Sequence, residues 1–221
     1  MIIVIEGTDG SGKQTQTELL FNFLKENGEN VKKQSFPNYE SDSSVLVKHY
    51  LNGDFGDINA LNAKQCSSLF ALDRLCTMLS YKNFLKSNGI LLLDRYVTSN
   101  FLHQATKIRN EKERNETISW LKKFEYEDLQ LPVPDLTFFL DLKPELSKKL
   151  REARGDLKAG TKRDIHENNY EYLINCYNIG LKIAEEQNWK IIKCYNEDNT
   201  IKTINEIHEE IKNVYLNFNK K

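Results

Sequence analysis

Three glycines, two hydroxyls and a lysine within seven residues, Gly7-Thr8-Asp9-Gly10-Ser11-Gly12-Lys13, form an arrangement suited to holding polyphosphate. Glycines at this spacing let the backbone curl until several N–H groups point inward, and a helix starting at the lysine adds its own N-terminal donors and partial positive charge. Lys13 reaches the outer phosphates as a mobile point charge. Gln14 stands where the P-loop pattern has a Ser or Thr for Mg2+, with Thr15 one residue later. The metal's ligand therefore stays open among the Gln14 amide, the Thr15 hydroxyl, and carboxylates with water.

A second group follows downstream. Leu93-Asp94-Arg95-Tyr96 ends an apolar run with a carboxylate able to bear on Mg2+ and a guanidinium able to clamp a phosphate. Ser99-Asn100 and His103-Gln104 fall one turn apart beyond it and can face the same cleft. Phe70 and Arg74 are four apart, a flat ring and a forked donor on one helical face, which suits a base platform and also suits ordinary packing. In Phe36-Pro37-Asn38-Tyr39 the proline restrains the backbone and aims Phe36 at a defined spot. Between Arg151 and Arg163 five cationic side chains (Arg151, Arg154, Lys158, Lys162, Arg163) meet two anionic ones, with Gly155 and Gly160 among them. Beside a P-loop, such a stretch reads as a lid over about residues 151–166 that closes on transferring phosphate.

The elements that must position these groups are legible as apolar runs at Ile2–Glu6, Val31–Phe36, Ile90–Asp94, Leu136–Leu142 and Lys190–Tyr195, separated by helix-length segments. Short continuous apolar strands between helices imply a parallel sheet covered on both faces, with ligands at the carboxyl ends of the strands. Helices are expected over Thr15–Asn27, Ser44–Asn52 and about Asn62–Asn88, closed by Gly28, Gly53 and Gly89. The 221 residues fit one α/β domain, with no internal repeat or linker.

Composition narrows the partners. A net charge of −1 leaves no basic surplus for bulk nucleic-acid binding. Cys66, Cys76, Cys176 and Cys194 show neither CxxC spacing nor a histidine cluster, so free thiols in a reducing compartment are expected. No stretch approaches 18 apolar residues, and no charged start with an apolar core precedes the first strand, so the chain reads as cytoplasmic, with no membrane partner.

Taken together, Gly7–Lys13, Phe36-Pro37, Leu69-Phe70-Ala71-Leu72-Asp73-Arg74, Asp94-Arg95-Tyr96 with Ser99-Asn100, Leu131-Pro132-Val133-Pro134-Asp135, the basic stretch and Tyr170-Glu171 resemble the thymidylate kinase family nearly end to end. The resemblance implies a P-loop NTPase fold, three layers αβα around a five-stranded parallel sheet, acting as one domain over 1–221. It implies transfer of the γ-phosphoryl of ATP to dTMP with Mg2+, for dTTP synthesis, by a homodimer. It places Gly7, Asp9, Gly10, Ser11, Gly12, Lys13, Gln14 and Thr15 at the ATP phosphates and Phe70 on thymine. Arg74 falls at its O4 edge, with Asn100 reading the pyrimidine. Arg95 and Tyr39 fall at the dTMP phosphate, and Phe36, Pro37, Ser99, His103, Tyr170 and Glu171 around the acceptor. Asp9, Asp94 and Thr15 are the implied metal residues, with Asp9 and Glu171 near sugar or metal. Gly10 and Ser11 leave no arginine in the loop, so the resemblance assigns the catalytic arginine to the lid, at Arg151 or Arg154, alongside Lys13, Arg95 and Asp9. Gln14 departs from the pattern. So do Asn38, where an arginine usually joins the acceptor phosphate, and His103, where a tyrosine commonly packs on the deoxyribose.

Two other readings compete. A deoxynucleoside kinase shares the P-loop, the Asp-Arg pair and a basic lid, and would use Glu6 as its base. A nucleotide-binding switch would carry a guanine-reading NKxD-type motif, which the sequence does not contain.

Overall fold

Ile2-Ile3-Val4-Ile5 is apolar on both faces, a pattern that only a strand covered on both sides satisfies. In the computed structural model, which describes residues 1–154 and 170–219, Ile2–Glu6 forms β1 and is buried throughout. The other strands are β2 (Val31–Ser35), β3 (Ile90–Asp94), β4 (Leu136–Asp141) and β5 (Lys190–Lys193). They make one parallel sheet in the order β2-β3-β1-β4-β5. The partly exposed edge strands carry Lys32, Lys33, Lys190 and Lys193, charges that disfavour edge-to-edge pairing.

The helices are α1 (Lys13–Glu26), α2 (Val45–Asn52), α3 (Ala63–Leu79), α4 (Lys82–Lys86), α5 (Val97–His103), α6 (Glu111–Lys122), α7 (Pro144–Arg154), α8 (Tyr170–Glu186) and α9 (Ile204–Phe218). The two-residue period of the strands splits the core in two. Ile3, Ile5, Leu92, Phe138 and Leu140 pack against Leu20 and Leu24 of α1 and Ile207 and Ile211 of α9. Ile2, Val4, Leu91 and Leu93 pack on the opposite side with Met78 of α3, Phe101 of α5 and Leu121 of α6. This is the three-layer arrangement expected. From central β1 the chain passes to the β3 side and later to the β4 side, which opens a crevice at the carboxyl ends of β1, β3 and β4.

The expected helix over 62–88 is two helices. Ser80 and Tyr81 donate their N–H groups to Thr77 and Met78, the tight i to i−3 pattern that ends a helix, and the Tyr81 hydroxyl reaches Gln34 Oε1 at 3.0 Å on β2. Gly89 does not close it: Asn88 takes the left-handed turn at φ 57. Gly89 is needed because a Cβ there would lie 2.4 Å from the Phe84 ring. Gly53 caps α2 as expected, at φ 84.

After α6 the chain widens into a π-helical segment, Lys123–Asp128, which turns Glu125 into the interior.

Candidate active site

The loop Gly7–Gly12 leaves β1 and enters α1 with Gly7, Gly10 and Gly12 all at positive φ. At Gly10 the constraint is close approach: a Cβ would sit 2.4 Å from Ser147 Oγ and 3.0 Å from Arg151 Cδ. Ser147 donates to the Asp9 carbonyl at 2.7 Å, so α7 is fastened across the loop and carries buried Arg151 onto it. Gly10→Ala, at φ +78, is expected to cost about 1–3 kcal/mol through backbone strain and displacement of α7. A lowered thermal midpoint together with weaker ATP binding would register it; wild-type values for both would mean that α7 gives way freely.

The loop is built for an anion. Gly12 is the N-cap of α1 with no side-chain cap and no acid in the first turn, so the helix N-terminus is kept for a ligand. Thr8 Oγ1 and Ser11 Oγ are buried and without partners among the described residues, positions that phosphate oxygens would satisfy. Lys13 Nζ donates to the Thr8 carbonyl at 2.9 Å. Burial pushes the Lys13 ammonium below its ordinary range and the neighbouring Arg95 charge adds to this, whereas a polyphosphate there would favour the charged form. Gln14 is exposed and Thr15 half-buried.

Asp94 pairs in register with Ile5, which puts Arg95 beside the loop. Arg95 adopts φ 67, sparsely populated for a side chain with a Cβ, and its N–H is held by the Ile5 carbonyl at 3.2 Å. Its Nη2 binds Asp9 Oδ1, and its Nη1 lies 3.5 Å from Glu6 Oε1 and 3.1 Å from His103 Nε2. Burial alone would lower the guanidinium's pKa, but the Asp9, Glu6 and Asp94 carboxylates together hold it above its ordinary value. Because Nη1 can only donate, His103 Nε2 accepts and the ring proton sits on Nδ1, facing the Tyr172 hydroxyl at 3.3 Å. That hydroxyl donates to the His103 carbonyl at 3.0 Å.

Glu6 is fully buried and committed. It accepts from the Gly7 N–H at 3.0 Å, Thr98 Oγ1 at 2.8 Å and Ser99 Oγ at 2.7 Å, besides Arg95. Those donors make it an anchor for the loop and α5, and no lone pair is left facing a sugar hydroxyl.

Asp9, Phe36, Pro37, Tyr39, Phe70, Arg74, Arg95, Ser99, Asn100 and His103 line one open cavity of about 730 Å³, joined by Leu51, Tyr96 and Gln104. The Phe36–Pro37 peptide bond is cis. Phe70 is held edge-on by Tyr50, ring centroids 6.1 Å apart. Arg74 is buried and grips Glu125 through Nε at 2.7 Å and Nη2 at 2.8 Å, and Asn100 Nδ2 donates to the same carboxyl at 2.7 Å. Burial pushes the Glu125 carboxyl up, while Arg74 and Asn100 pull it back. Three N–H donors on two oxygens are the partners of a carboxylate, which accepts only. Gln104 Oε1 is buried without a partner among the described residues and can accept from a ligand.

Some expected residues lie elsewhere. Asn38 turns from the cavity, donating through Nδ2 to Thr77 at 3.1 Å and through its backbone to Asp73 at 2.9 Å. Tyr170 and Glu171 are exposed on the first turn of α8 and do not line the cavity. Tyr172, one residue beyond Glu171, reaches His103 instead, and only its aromatic type marks it in the sequence. Gly155, Asp156, Lys158, Gly160, Lys162 and Arg163 lie outside the described residues, as does the Arg154 side chain.

An all-parallel αβα sheet with a glycine-lined phosphate loop and an arginine at the adjoining strand end, opening on an aromatic cavity, defines the class of P-loop nucleotide kinases. A sequence profile of the thymidylate kinase family matches residues 5–211, and the chain belongs to that family. It is 31% identical over 172 residues to a thymidylate kinase of Mycobacterium tuberculosis, covering 77% of this chain and 79% of the relative. A probable thymidylate kinase of Methanocaldococcus jannaschii is 29% identical over 214 residues, 96% of this chain and 93% of that one. The solved structure of a thymidylate kinase from Candida albicans, 24% identical, superposes with a TM-score of 0.74 over 99% of this chain and 92% of that chain, sharing the fold.

Proposed function

We propose that this member of the thymidylate kinase family transfers the γ-phosphoryl of ATP to dTMP, with the cavity taking dTMP and the loop taking ATP. The observation that carries the reading is the placement of Arg95. It stands between the phosphate loop and a cavity whose far end holds Phe70, Arg74 and Asn100, so one molecule can offer its phosphate to the loop side and its base to the ring. Phosphoryl transfer needs positioning and charge more than covalent chemistry. Lys13 and the loop N–H groups hold the donor phosphates, and Arg95 with Tyr39 holds the acceptor phosphate. Arg151, lying on Gly10, is the lid arginine assigned to the transferred group, with Arg154 as the other candidate. An acceptor phosphate is already anionic, so no general base is needed, and Glu6 is occupied as an anchor.

Mg2+ fits the carboxylates present. Among the described residues no cluster of three metal-binding side chains exists, and Mg2+ commonly uses one or two carboxylates, water and substrate phosphates. Asp94, Asp9 and Thr15 are the residues that would hold it, and when bound it would neutralise phosphate charge. The chain works as one domain over 1–221, in the cytoplasm, a setting that suits four free cysteines. It assembles as a homodimer through helices, and exposed Leu72 and Leu79 on α3 offer apolar positions for that packing.

The test is ADP release with ATP and Mg2+ against dTMP, dUMP, dGMP, UMP and thymidine. Preference for dTMP is the expected result. Preference for thymidine would return the deoxynucleoside-kinase reading, and preference for dGMP would detach the Phe70 and Arg74 end from pyrimidines.

A further inference from the structure

Glu125 is absent from the cavity wall, yet it touches both polar side chains at the cavity's base-binding end. Its carboxylate accepts from Arg74 Nε and Nη2 and from Asn100 Nδ2, and all three side chains are essentially inaccessible. The π-helical segment that bears it is what turns this acid inward from a run of charged neighbours. An ion pair this deep is costly to desolvate, so a structural reason alone is a weak one for keeping it.

The consequence lies in the atoms that remain. An asparagine amide can present either its oxygen or its nitrogen to a ligand, and the choice is fixed by what the other end meets. Here Nδ2 also lies 3.3 Å from the Ser67 carbonyl, so both its neighbours are acceptors and the amide cannot be reversed. Oδ1 is then the Asn100 atom that meets the cavity. Arg74 is treated likewise: the bidentate grip takes Nε and Nη2, and Nη1, a donor, is the nitrogen outside it. The cavity therefore offers one donor beside one acceptor. A 2,4-dioxopyrimidine presents the complement, a C4 carbonyl beside an N3–H, whereas a 4-aminopyrimidine presents an amino group beside a bare N3 and mismatches at both.

We propose that Glu125 is a positioning residue that sets acceptor-base specificity, by locking Asn100 and Arg74 in the orientation that accepts thymine or uracil and rejects cytosine. The inference rests on the proposed acceptor reading. In Glu125→Gln the new amide nitrogen meets an Arg74 N–H, donor against donor, at either oxygen position, so the bidentate grip that directs Nη1 is broken and Asn100 loses its rigid backing.

The experiment measures kcat/KM for dTMP and dCMP, and the KM for ATP, in wild type, Glu125→Gln, Asn100→Ala and the double variant. A misplaced buried polar group costs about 1–3 kcal/mol, so the dTMP:dCMP ratio is expected to fall roughly 10- to 100-fold in Glu125→Gln, mainly through the dTMP KM, with the ATP KM unchanged. Asn100→Ala is expected to lower the ratio as well. In the Asn100→Ala background, Glu125→Gln should add less than it does alone, because the contact that Glu125 shares between Arg74 and Asn100 is gone. An equal loss of turnover for both acceptors, with the ratio kept, would overturn the inference and leave a structural role. If Glu125→Gln does not fold, an unchanged ratio in Asn100→Ala overturns it by itself. A wild type that used a purine acceptor would overturn the acceptor reading and the inference together; a wild type that uses dTMP while the variants keep the ratio overturns the inference alone.

Discussion

Arg151→Ala is expected to lower kcat by on the order of 10³-fold with little change in the KM for either substrate, the scale of a lost arginine finger in phosphoryl transfer. The expectation follows from where the side chain lies. Gly10 and Ser11 give the phosphate loop no arginine of its own, and α7 is fastened across the loop by Ser147 on the Asp9 carbonyl. The Arg151 Cδ is so near Gly10 that even a methyl group there would sit 3.0 Å away. A guanidinium on that stem is in reach of charge that develops between the γ-phosphoryl and the acceptor, and it would stabilise the transition state more than either ground state. Single-turnover kinetics at saturating ATP and dTMP separate this from a binding defect. A loss below about tenfold would move the role to Arg154 or another lid residue, and a raised ATP KM with kcat intact would make Arg151 a simple donor-phosphate contact.

What could be read from the chain divides along a physical line. The strands were legible because an apolar run such as Ile2-Ile3-Val4-Ile5 has one stable environment, a sheet covered on both faces. The phosphate loop was legible because its chemistry is local: the glycines, Lys13 and the start of α1 all lie in one short segment. Arg95 followed from its place at a strand end. Failures came where a distant partner decides. Nothing near Ser80 stops a helix as strongly as Gly or Pro would, and the break depends on tight terminal bonds and on Tyr81 meeting Gln34 of β2. Glu125 sits in the run Lys122-Lys123-Phe124-Glu125-Tyr126-Glu127-Asp128, which has the composition of a solvated face, and only the π-helical widening and the approach of Arg74 from α3 bring it inside. Asn38 reads in the sequence as a departure from an arginine, and its direction, toward Thr77, depends on how Asp73 holds the loop. Tyr172 was missed for a related reason. Tyr170, Glu171 and Tyr172 are adjacent in sequence but point about 100° apart around a helix, and the phase of α8 selects Tyr172 for the interior.

Arg95→Ala is expected to raise the KM for dTMP and to cut turnover, for a loss in kcat/KM on the order of 10²- to 10³-fold, while ATP binding stays near wild type. The guanidinium is held in place before any ligand arrives: its backbone is pinned to Ile5, one nitrogen is on Asp9, and the other is shared among Glu6, Ser99 and His103. Such preorganisation makes the charge effective, because little side-chain entropy is lost when a phosphate arrives. It also predicts how replacements differ. Arg95→Lys keeps the charge but not the planar fork, so it should recover part of the dTMP KM and little of the turnover, since one ammonium cannot bind a phosphate and keep Asp9 and Glu6 neutralised at once. In both variants Glu6 still has the Gly7, Thr98 and Ser99 donors, so the loop and α5 should stay anchored, and thermal unfolding should remain cooperative with a midpoint near that of the wild type. Acceptor kinetics unchanged in Arg95→Ala would remove this residue from the phosphate site. ATP binding lost along with them would mean instead that the Asp9–Arg95 contact shapes the donor loop.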